Sequence, residues 1–490
     1  MSESNSSIKR GVVAVAACLL LASCASQRGI QSTQHMADPQ SYASSKTLAA
    51  SQADWPTLDW AKSLGGDELM ALVDEALRDN PSLQAARARV AAARALSESA
   101  RAATLPNVSG QASATRQRFT EHGLFPPPLA GSYVTDSNVQ LNLNYDFDFW
   151  GKHEAALKSA LAQGQVAEAE QHSTRLVLAS AVAKGWMQLA RQNAQVELIG
   201  RQIAAREKLD HLTRLRFQAG LDARVDTEQA RQQISMLRVE QAQWQEAMAL
   251  TRNQLAALLG QGPDRGLSIQ PGKLPEPAQL ALPAQLPSGL LGRRPDVVAA
   301  RWRVEAAQGD IDNARAQFYP SVNLAAFAGF SAFGLDNLLN AGSRTLGVGP
   351  AIRLPIFEGG ALRAQLKGRT GNYDAAVASY NQALTDALHD VADQVQGLRG
   401  AEAQSRQLEQ AGDAAEQAWR LAQAREKKGT SNMLPVLAAE LNLLSQKRLE
   451  LDLQARRADL QVGLVKALGG GFDAQALGLA AEPAMAKNSN

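Results

Sequence analysis

The sequence predicts a mainly α-helical protein with a membrane β-barrel part, built from two copies of one structural half. Helix-breaking residues recur about 210 positions apart, which indicates an internal duplication. Long stretches with almost no proline predict helical hairpins, and one ten-residue stretch alternates between apolar and polar side chains. The first repeat is expected at residues 55–260 and the second at 293–469, with a proline-rich linker at 261–292 between them.

The duplication is visible in the order of prolines and glycines along the chain. A period of this length is too long for a solenoid repeat, so it indicates a duplicated half-domain. Two landmarks coincide at an offset of 214 residues and two more at an offset of 209. The paired landmarks are Asn80-Pro81 with Arg294-Pro295, Leu105-Pro106 with Tyr319-Pro320, Gly220 with Gly429, and Gly260 with Gly469.

Residues 138–147 alternate strictly between apolar and amide or acidic side chains. Such alternation is typical of a transmembrane barrel strand, whose apolar face contacts lipid and whose polar face lines a wet lumen. With weaker strands at about 108–119, 322–328 and 346–351, each half supplies two strands. Because four strands cannot close a barrel, other copies of the chain must cover the sheet edges. The expected lumen residues are Asn138, Gln140, Asn142 and Asn144.

Each strand pair is followed by a helical hairpin that is too long for a compact domain. The predicted helices are 151–218 with 223–259, and 361–428 with 433–468. A helix of nearly 70 residues approaches 100 Å in length at about 1.5 Å per residue. Because apolar positions are sparse along these helices, the hairpins need lateral partners.

The N-terminus has the pattern of a lipoprotein signal peptide, expected at residues 1–23. Leu21-Ala22-Ser23-Cys24 resembles a lipobox, so Cys24 is expected to carry the lipid; the alternative is an ordinary secretory signal with an incidental cysteine. Residues 24–54 are interpreted as a flexible tether and residues 470–490 as a loosely ordered C-terminal tail. No aspartate follows Cys24, which in bacterial lipoprotein sorting permits passage to the outer membrane.

The remaining composition argues against catalysis and against nucleic-acid binding. The net charge is +2 with both signs interspersed, so no basic block would attract nucleic acid. The six histidines show no metal-ligand spacing, and no phosphate-binding loop is present. The sequence therefore predicts no catalytic residue, no metal, no cofactor and no enzyme activity.

Several motifs resemble those of the outer-membrane factors of tripartite efflux pumps, the TolC/OprM-like lipoproteins. The most specific are Pro355-Ile356-Phe357-Glu358-Gly359-Gly360 and Arg293-Arg294-Pro295-Asp296. The resemblance implies a homotrimer whose strands form a twelve-stranded β-barrel in the outer membrane, joined to a periplasmic α-helical barrel. It also implies a periplasmic adaptor protein and an inner-membrane efflux transporter as partners, with outer-membrane lipid around the barrel.

The resemblance places the aperture and the adaptor-docking surface at the hairpin ends. Asp226 resembles a family aspartate that holds the aperture shut by tying one hairpin end to its neighbour. Ser431 stands where the family usually has the partner arginine, and Pro435 and Ala438 stand at the usual acidic aperture positions. The residues implied at the aperture are Gly220, Leu221, Asp226, Lys428, Gly429, Thr430, Met433 and Leu434.

The function implied by this resemblance is a passive exit duct for small molecules such as drugs or toxic compounds. Two alternatives remain open from the sequence. One is an outer-membrane duct of a type I protein secretion system. The other, from a different class, is a periplasmic coiled-coil adaptor without a pore.

Overall fold

The computed structural model describes residues 27–43, 46–48, 53–276, 282–283 and 286–480, except for the side chains of residues 287 and 288. The predicted signal peptide and Cys24 lie outside these residues. The first repeat contains α1 (Trp60–Asp79), α2 (Pro81–Ala102), β1 (Asn107–Arg118), β2 (Tyr133–Phe147), α3 (Lys152–Gln218) and α4 (Arg224–Leu258). After α5 (Asp264–Leu267) and α6 (Leu286–Arg293), the second repeat contains α7 (Pro295–Ala316), β3 (Ser321–Phe333), β4 (Arg344–Arg353), α8 (Ala361–Lys427) and α9 (Met433–Ala467).

The chain divides into two compact units. The first contains residues 91–166 and 301–380 together with the described residues before 37, so it includes all four strands. The second contains residues 37–90, 167–300 and those from 381 onward, so it includes both hairpin ends. The two long helices, α3 and α8, contribute residues to both units.

The strands form one antiparallel sheet in the order β1-β2-β3-β4. The two halves meet at its centre, where β2 pairs with β3 from Asp136 opposite Phe333 to Phe147 opposite Val322. The alternating stretch is confirmed as a strand, and β2 starts earlier than its sequence pattern, at Tyr133. Residues 133–137 lack strict alternation, but β1 extends to Arg118 and supplies backbone partners for them.

The predicted helical hairpins are confirmed, with ends within one residue of the expected positions. In the second unit α4 runs antiparallel to α3: Arg238 pairs with Glu207 at 2.8 Å, and Leu255, farther along α4, packs against Gly185, which lies earlier in α3. Helix α9 runs alongside α3 as well, because Arg191 donates to Asp452 at 2.8 Å and Arg448 donates to Gln195 at 2.9 Å. Among the described residues, every helix is too short or too polar to cross a lipid bilayer.

The duplicated landmarks at 80 and 294 form equivalent joints in the two halves. In the first, the Asn80 side chain donates to the carbonyl oxygen of Leu258 at 2.8 Å. In the second, Arg294 donates to the carbonyl oxygen of Ala467 at 3.4 Å. Leu258 and Ala467 are themselves 209 residues apart and end α4 and α9, the second or return helix of each hairpin. Both joints therefore satisfy a carbonyl at a helix end that has no partner within its own helix.

In the second joint a buried arginine, paired with two partly exposed carboxylates, replaces the amide. The Arg294 side chain is only 10% exposed and pairs with Asp296 at 2.5 Å and with Asp390 at 2.9 Å. Although burial opposes its charge, the hydrogen bonds and the charge of the two carboxylates raise the pKa of the Arg294 guanidinium. The buried arginine therefore stays ionised and paired, as such groups require.

Each joint also packs against the glycine that ends the return helix. Gly260 and Gly469 have positive φ values of 73° and 90°. A Cβ on Gly260 would lie 2.8 Å from the carbonyl oxygen of Asp79, and a Cβ on Gly469 would collide with the carbonyl oxygen of Arg293. Both positions therefore require glycine for two reasons: the backbone has a positive φ, and a Cβ atom would collide with the neighbouring backbone.

The segment from 27 to 43, expected to belong to a flexible tether, contacts the helices in both units. Within the first unit, Ile30 is buried in a cluster with Phe318 and Leu366. Ser32 donates to Asp374 at 2.5 Å in the same unit. Within the second unit, the backbone of Ala37 donates to Asn381 at 2.8 Å. These contacts order the described part of the segment.

The beginning of the expected C-terminal tail is likewise packed rather than loosely ordered. Phe472 and Ala474 are buried, and the backbone of Ala474 donates to the carbonyl of Gly292 at 2.8 Å. Asp473 pairs with Arg293 at 3.1 Å. These contacts hold the start of the tail against residues 292 and 293, beside the second joint, which the composition alone did not indicate.

We expect Gly469→Ala to lower the unfolding temperature far more than Gly429→Ala. Both glycines have positive φ, so both substitutions cost about 1–2 kcal/mol from the left-handed conformation. Only Gly469→Ala also forces a collision, because nothing lies within 4 Å of a Cβ at Gly429. Thermal unfolding followed by circular dichroism in detergent measures both variants, and equal decreases would contradict the steric role of the joint.

Candidate functional site

The four predicted lumen residues share one face of the sheet and form a ladder of amides. The Asn138 amide donates to Gln140 at 3.4 Å, and the Gln140 amide donates to Asn142 at 2.9 Å. Asn144 follows on the same face, because alternate residues of a strand point the same way. Across the ladder, β1 adds more small polar and amide side chains: Asn107, Ser109, Gln111 and Ser113.

The opposite face of the sheet exposes large apolar side chains to the surroundings. Leu141 is 60% exposed on β2, and Leu346 and Val348 are 81% and 75% exposed on β4. A sheet with one polar face and one exposed apolar face suits a boundary between water and lipid. It does not suit a sheet packed on a protein core, whose apolar face would be covered.

Aromatic residues lie where the strands end and the helices begin, a feature that our sequence reasoning did not identify. Trp150 stacks on Tyr319 with ring centroids 4.6 Å apart and donates to the carbonyl of Pro320 at 2.8 Å. Phe147 stacks on Phe149 at 5.6 Å. Tryptophan and tyrosine at this level are typical of a membrane–water interface. The signal available in the sequence was the aromatic run immediately after the alternating strand.

The turns that close the two hairpins have the same backbone geometry. In the first, Gly220 donates to Phe217 at 3.0 Å and Leu221 donates to Arg216 at 2.8 Å. In the second, Gly429 donates to Glu426 at 2.8 Å and Thr430 donates to Arg425 at 3.0 Å. These pairs of bonds define a Schellman turn, and the positive φ of each glycine permits it.

The side chains differ between the turns. In the first turn Arg216 donates two hydrogen bonds, of 2.8 and 2.9 Å, to the carboxylate of Asp222. The hydrogen bond from Arg216 holds the pKa of Asp222 below its ordinary value, so the pair is ionised at neutral pH. The Asp226 carboxylate is exposed and accepts the backbone N–H of Ala223 at 2.9 Å, which caps the start of α4. The Arg216–Asp222 pair was missed from the sequence.

The second turn lacks both carboxylates, because Ser431 and Pro435 stand 209 residues after Asp222 and Asp226. Asn432 caps the start of α9 by accepting the N–H of Leu434 at 3.1 Å. Lys428 and Met433 are exposed beside this turn. The predicted aperture residues therefore form two groups, one at each turn, and the first group lies beside the Arg216–Asp222 ion pair.

No group of acidic, histidine or cysteine side chains suited to a metal ion occurs within the described part of the chain.

Comparison with known proteins agrees with this geometry. The family model for "Outer membrane efflux protein" matches residues 72–261 and 286–470, which are the two repeats. The multidrug resistance outer membrane protein MdtP of Shigella flexneri is 30% identical over 468 residues, covering 93% of this chain and 95% of that protein. The fusaric acid resistance protein FusA of Burkholderia cepacia is 35% identical over 359 residues, covering 72% of this chain and 67% of that protein.

Among solved structures, the chain is similar to the outer membrane protein VceC of Vibrio cholerae. The TM-score is 0.78 at 38% identity, with 86% of this chain and all of that chain covered. The outer-membrane channel OprN gives a TM-score of 0.80 at 27% identity, covering 91% of this chain and 99% of that one. The chain therefore belongs to the outer membrane efflux protein family, a family of channels rather than enzymes, and is the outer-membrane duct of an efflux pump.

Proposed function

We propose that three copies of the chain form a closed duct that passes small toxic compounds from the periplasm to the exterior. The observation that carries this proposal is the sheet in the first unit. Its strands β1 and β4 are edge strands, paired on one side only among the described residues. Unpaired backbone groups are costly in lipid, and closure with other copies removes the edges. Three copies supply twelve strands, enough for an open lumen.

The two faces of the sheet support the same assembly. The amide ladder on β2 suits the wet interior of a barrel, while the exposed apolar side chains of β4 suit its lipid contact. The hairpins in the second unit are long and expose apolar residues such as Leu221 and Met236. Lateral packing against other copies would cover such residues, which fits an α-helical barrel in the periplasm.

The partners that we propose are a periplasmic adaptor protein at the hairpin ends and an inner-membrane efflux transporter. The exposed Leu221 and Lys428 give the turns both an apolar and a basic contact. The duct itself has no role for a cofactor and no catalytic step, so transport energy comes from the transporter. The names of relatives such as MdtP and FusA, which refer to multidrug and fusaric acid resistance, support small organic compounds as cargo.

Lipid attachment at Cys24 is also part of the proposal. Gln27, three residues after Cys24, donates to the carbonyl of Arg315 at 3.2 Å. Arg315 lies at the end of α7, shortly before β3 begins at Ser321. Three residues span at most about 11 Å. A lipid on Cys24 would be tethered within this distance of Gln27, which supports Cys24 as the anchor of a duct whose sheet starts nearby.

We expect the purified protein in detergent to have the mass of a trimer and to conduct ions in planar bilayers. In this assembly Leu346→Arg places a charge on the lipid face, at a cost that rises from about 0–1 kcal/mol near a membrane interface to about 2–4 kcal/mol at the bilayer midplane. The matched variant Thr345→Arg places the same charge on the opposite face of β4, so it should assemble and alter only the conductance. A stable monomer without conductance would refute the duct. So would a result in which Thr345→Arg prevents assembly and Leu346→Arg does not.

We expect Asp226→Asn to increase the current that leaks through the channel in its closed, resting state. The proposal is that the exposed Asp226 carboxylate ties its turn to a neighbouring hairpin end, with the basic residues Arg425, Lys427 and Lys428 as candidate partners. The asparagine keeps an oxygen for the cap on α4 while removing the charge, whereas Asp226→Ala removes both.

The control is Glu228→Gln, which removes an exposed charge two residues away. If Asp226→Asn conducts like the wild type in planar bilayers and only Asp226→Ala leaks, the carboxylate is a helix cap and not a latch.

We expect Cys24→Ser to abolish incorporation of labelled palmitate in cells while channels still form in detergent. A lipid chain contributes about 0.8 kcal/mol per buried CH₂ group, so its loss weakens membrane attachment before insertion. Cys18→Ser, within the predicted signal peptide, is the matched control and should keep the label. Equal labelling of wild type and Cys24→Ser would show that the cysteine is not the lipid site.

A further inference from the structure

One aromatic side chain interrupts the polar face of the sheet at the middle of β3. Phe327 is paired directly with Asn142 on β2 and with Gly347 on β4, so all three residues lie on the face that carries the amide ladder. The residue is 43% exposed. Elsewhere along its strand, aromatic Phe330 lies on the opposite, apolar face, where a barrel strand places such residues.

The surroundings of Phe327 leave its ring open to the lumen side. A Cβ on Gly347 would lie 2.7 Å from Cε1 and Cζ of the phenyl ring, so the ring leans over the bare backbone of β4. The next residues on the same face are also small, namely Ala325, Gly329 and Gly349. The small neighbours leave the ring partly exposed on this face.

Phe327 also lacks the aromatic partner that other rings near the sheet possess. Phe333, at the end of the same strand and face, contacts the ring of Phe119 at 5.7 Å. Within the described residues no ring stacks on Phe327. A phenyl group that faces water without a partner loses the stabilisation that stacking provides, so the position suits contact with another molecule.

A hydrogen-bond donor lies directly beside the ring. Asn142 accepts the Gln140 amide through Oδ1, whereas its own amide nitrogen makes no hydrogen bond among the described residues. Cβ atoms of directly opposed residues are about 4.5–5.5 Å apart, so the ring and this donor can reach one small molecule together. The pair offers an aromatic surface and a donor for an oxygen acceptor.

We propose that Phe327 and Asn142 form a transit site for planar aromatic compounds that carry a carboxylate or carbonyl group. The aromatic part of the compound stacks on Phe327, and its oxygen accepts the Asn142 amide. The inference rests on the proposed duct, in which this face lines the lumen and the site occurs once per copy. In this proposal the barrel selects among transported compounds by binding them as well as by the width of its pore.

The test measures inhibition of open-channel current in planar bilayers by naphthoate and by its fully saturated analogue. Both probes carry the same charge, but only naphthoate is aromatic and planar. We expect naphthoate to inhibit the wild-type channel more strongly. Phe327→Leu should weaken that inhibition about two- to tenfold, as the usual strength of an aromatic pair implies, and leave the saturated analogue unaffected. Phe327→Tyr should retain inhibition, and Phe330→Leu, on the opposite face, should behave as the wild type.

The outcomes separate this inference from the function on which it rests. Channels that conduct normally while wild type and Phe327→Leu show equal inhibition by naphthoate would overturn the transit site and leave the duct intact. Absence of conductance in the wild type would overturn the duct and the site together. If Phe327→Leu forms no channels, Phe327→Met provides the same comparison. Asn142→Ala tests the donor, because it should weaken inhibition by naphthoate and spare uncharged naphthalene.

Discussion

The structure depends on close packing at two equivalent joints. At each one, the end of α4 or α9 packs against the residue that precedes a proline, Asn80 or Arg294. In both halves a glycine with positive φ approaches the backbone so closely that no side chain fits, at Gly260 and at Gly469. The carbonyl at each helix end is then satisfied by the joint itself, through Asn80 or through Arg294. A buried core cluster lies at each joint, with Leu259 in one and Leu468 in the other. Each long hairpin is therefore anchored at the joint through both backbone contacts and a buried apolar cluster.

Duplication preserved this backbone arrangement and changed the side chains that complete it. An amide performs in the first joint what a paired guanidinium performs in the second. The hairpin turns show the same divergence, because both have the same Schellman hydrogen bonds but the Arg216–Asp222 ion pair occurs in the first turn and has no counterpart at Ser431 in the second. Backbone geometry is constrained by hydrogen bonding and sterics in both copies, whereas side chains at the turns are free to acquire separate roles.

The sheet has one polar and one apolar face, and this difference suits a duct that contacts water on one side and lipid on the other. Exposed leucine and valine side chains on β4 need lipid, while the linked amides of β2 need water. Aromatic residues such as Trp150 and Tyr319 occupy the end of the sheet, where both environments meet. Two aromatic side chains of β3, Phe327 and Phe333, lie on the polar face, and of these Phe333 contacts another ring, that of Phe119.

The sequence by itself determined the duplication, the four long hairpin helices and the alternating strand, because each is a local or periodic property of the chain. It also indicated the family through motifs at residues 293–296 and 355–360. Only the tertiary structure decided that β2 pairs with β3, that Arg216 grips Asp222 and that residues 27–43 lie against the helices. These features join residues whose partners local pattern does not specify. Strand register, ion pairs and the packing of a segment against helices depend on which parts of the chain meet in space. The local sequence pattern does not specify these contacts.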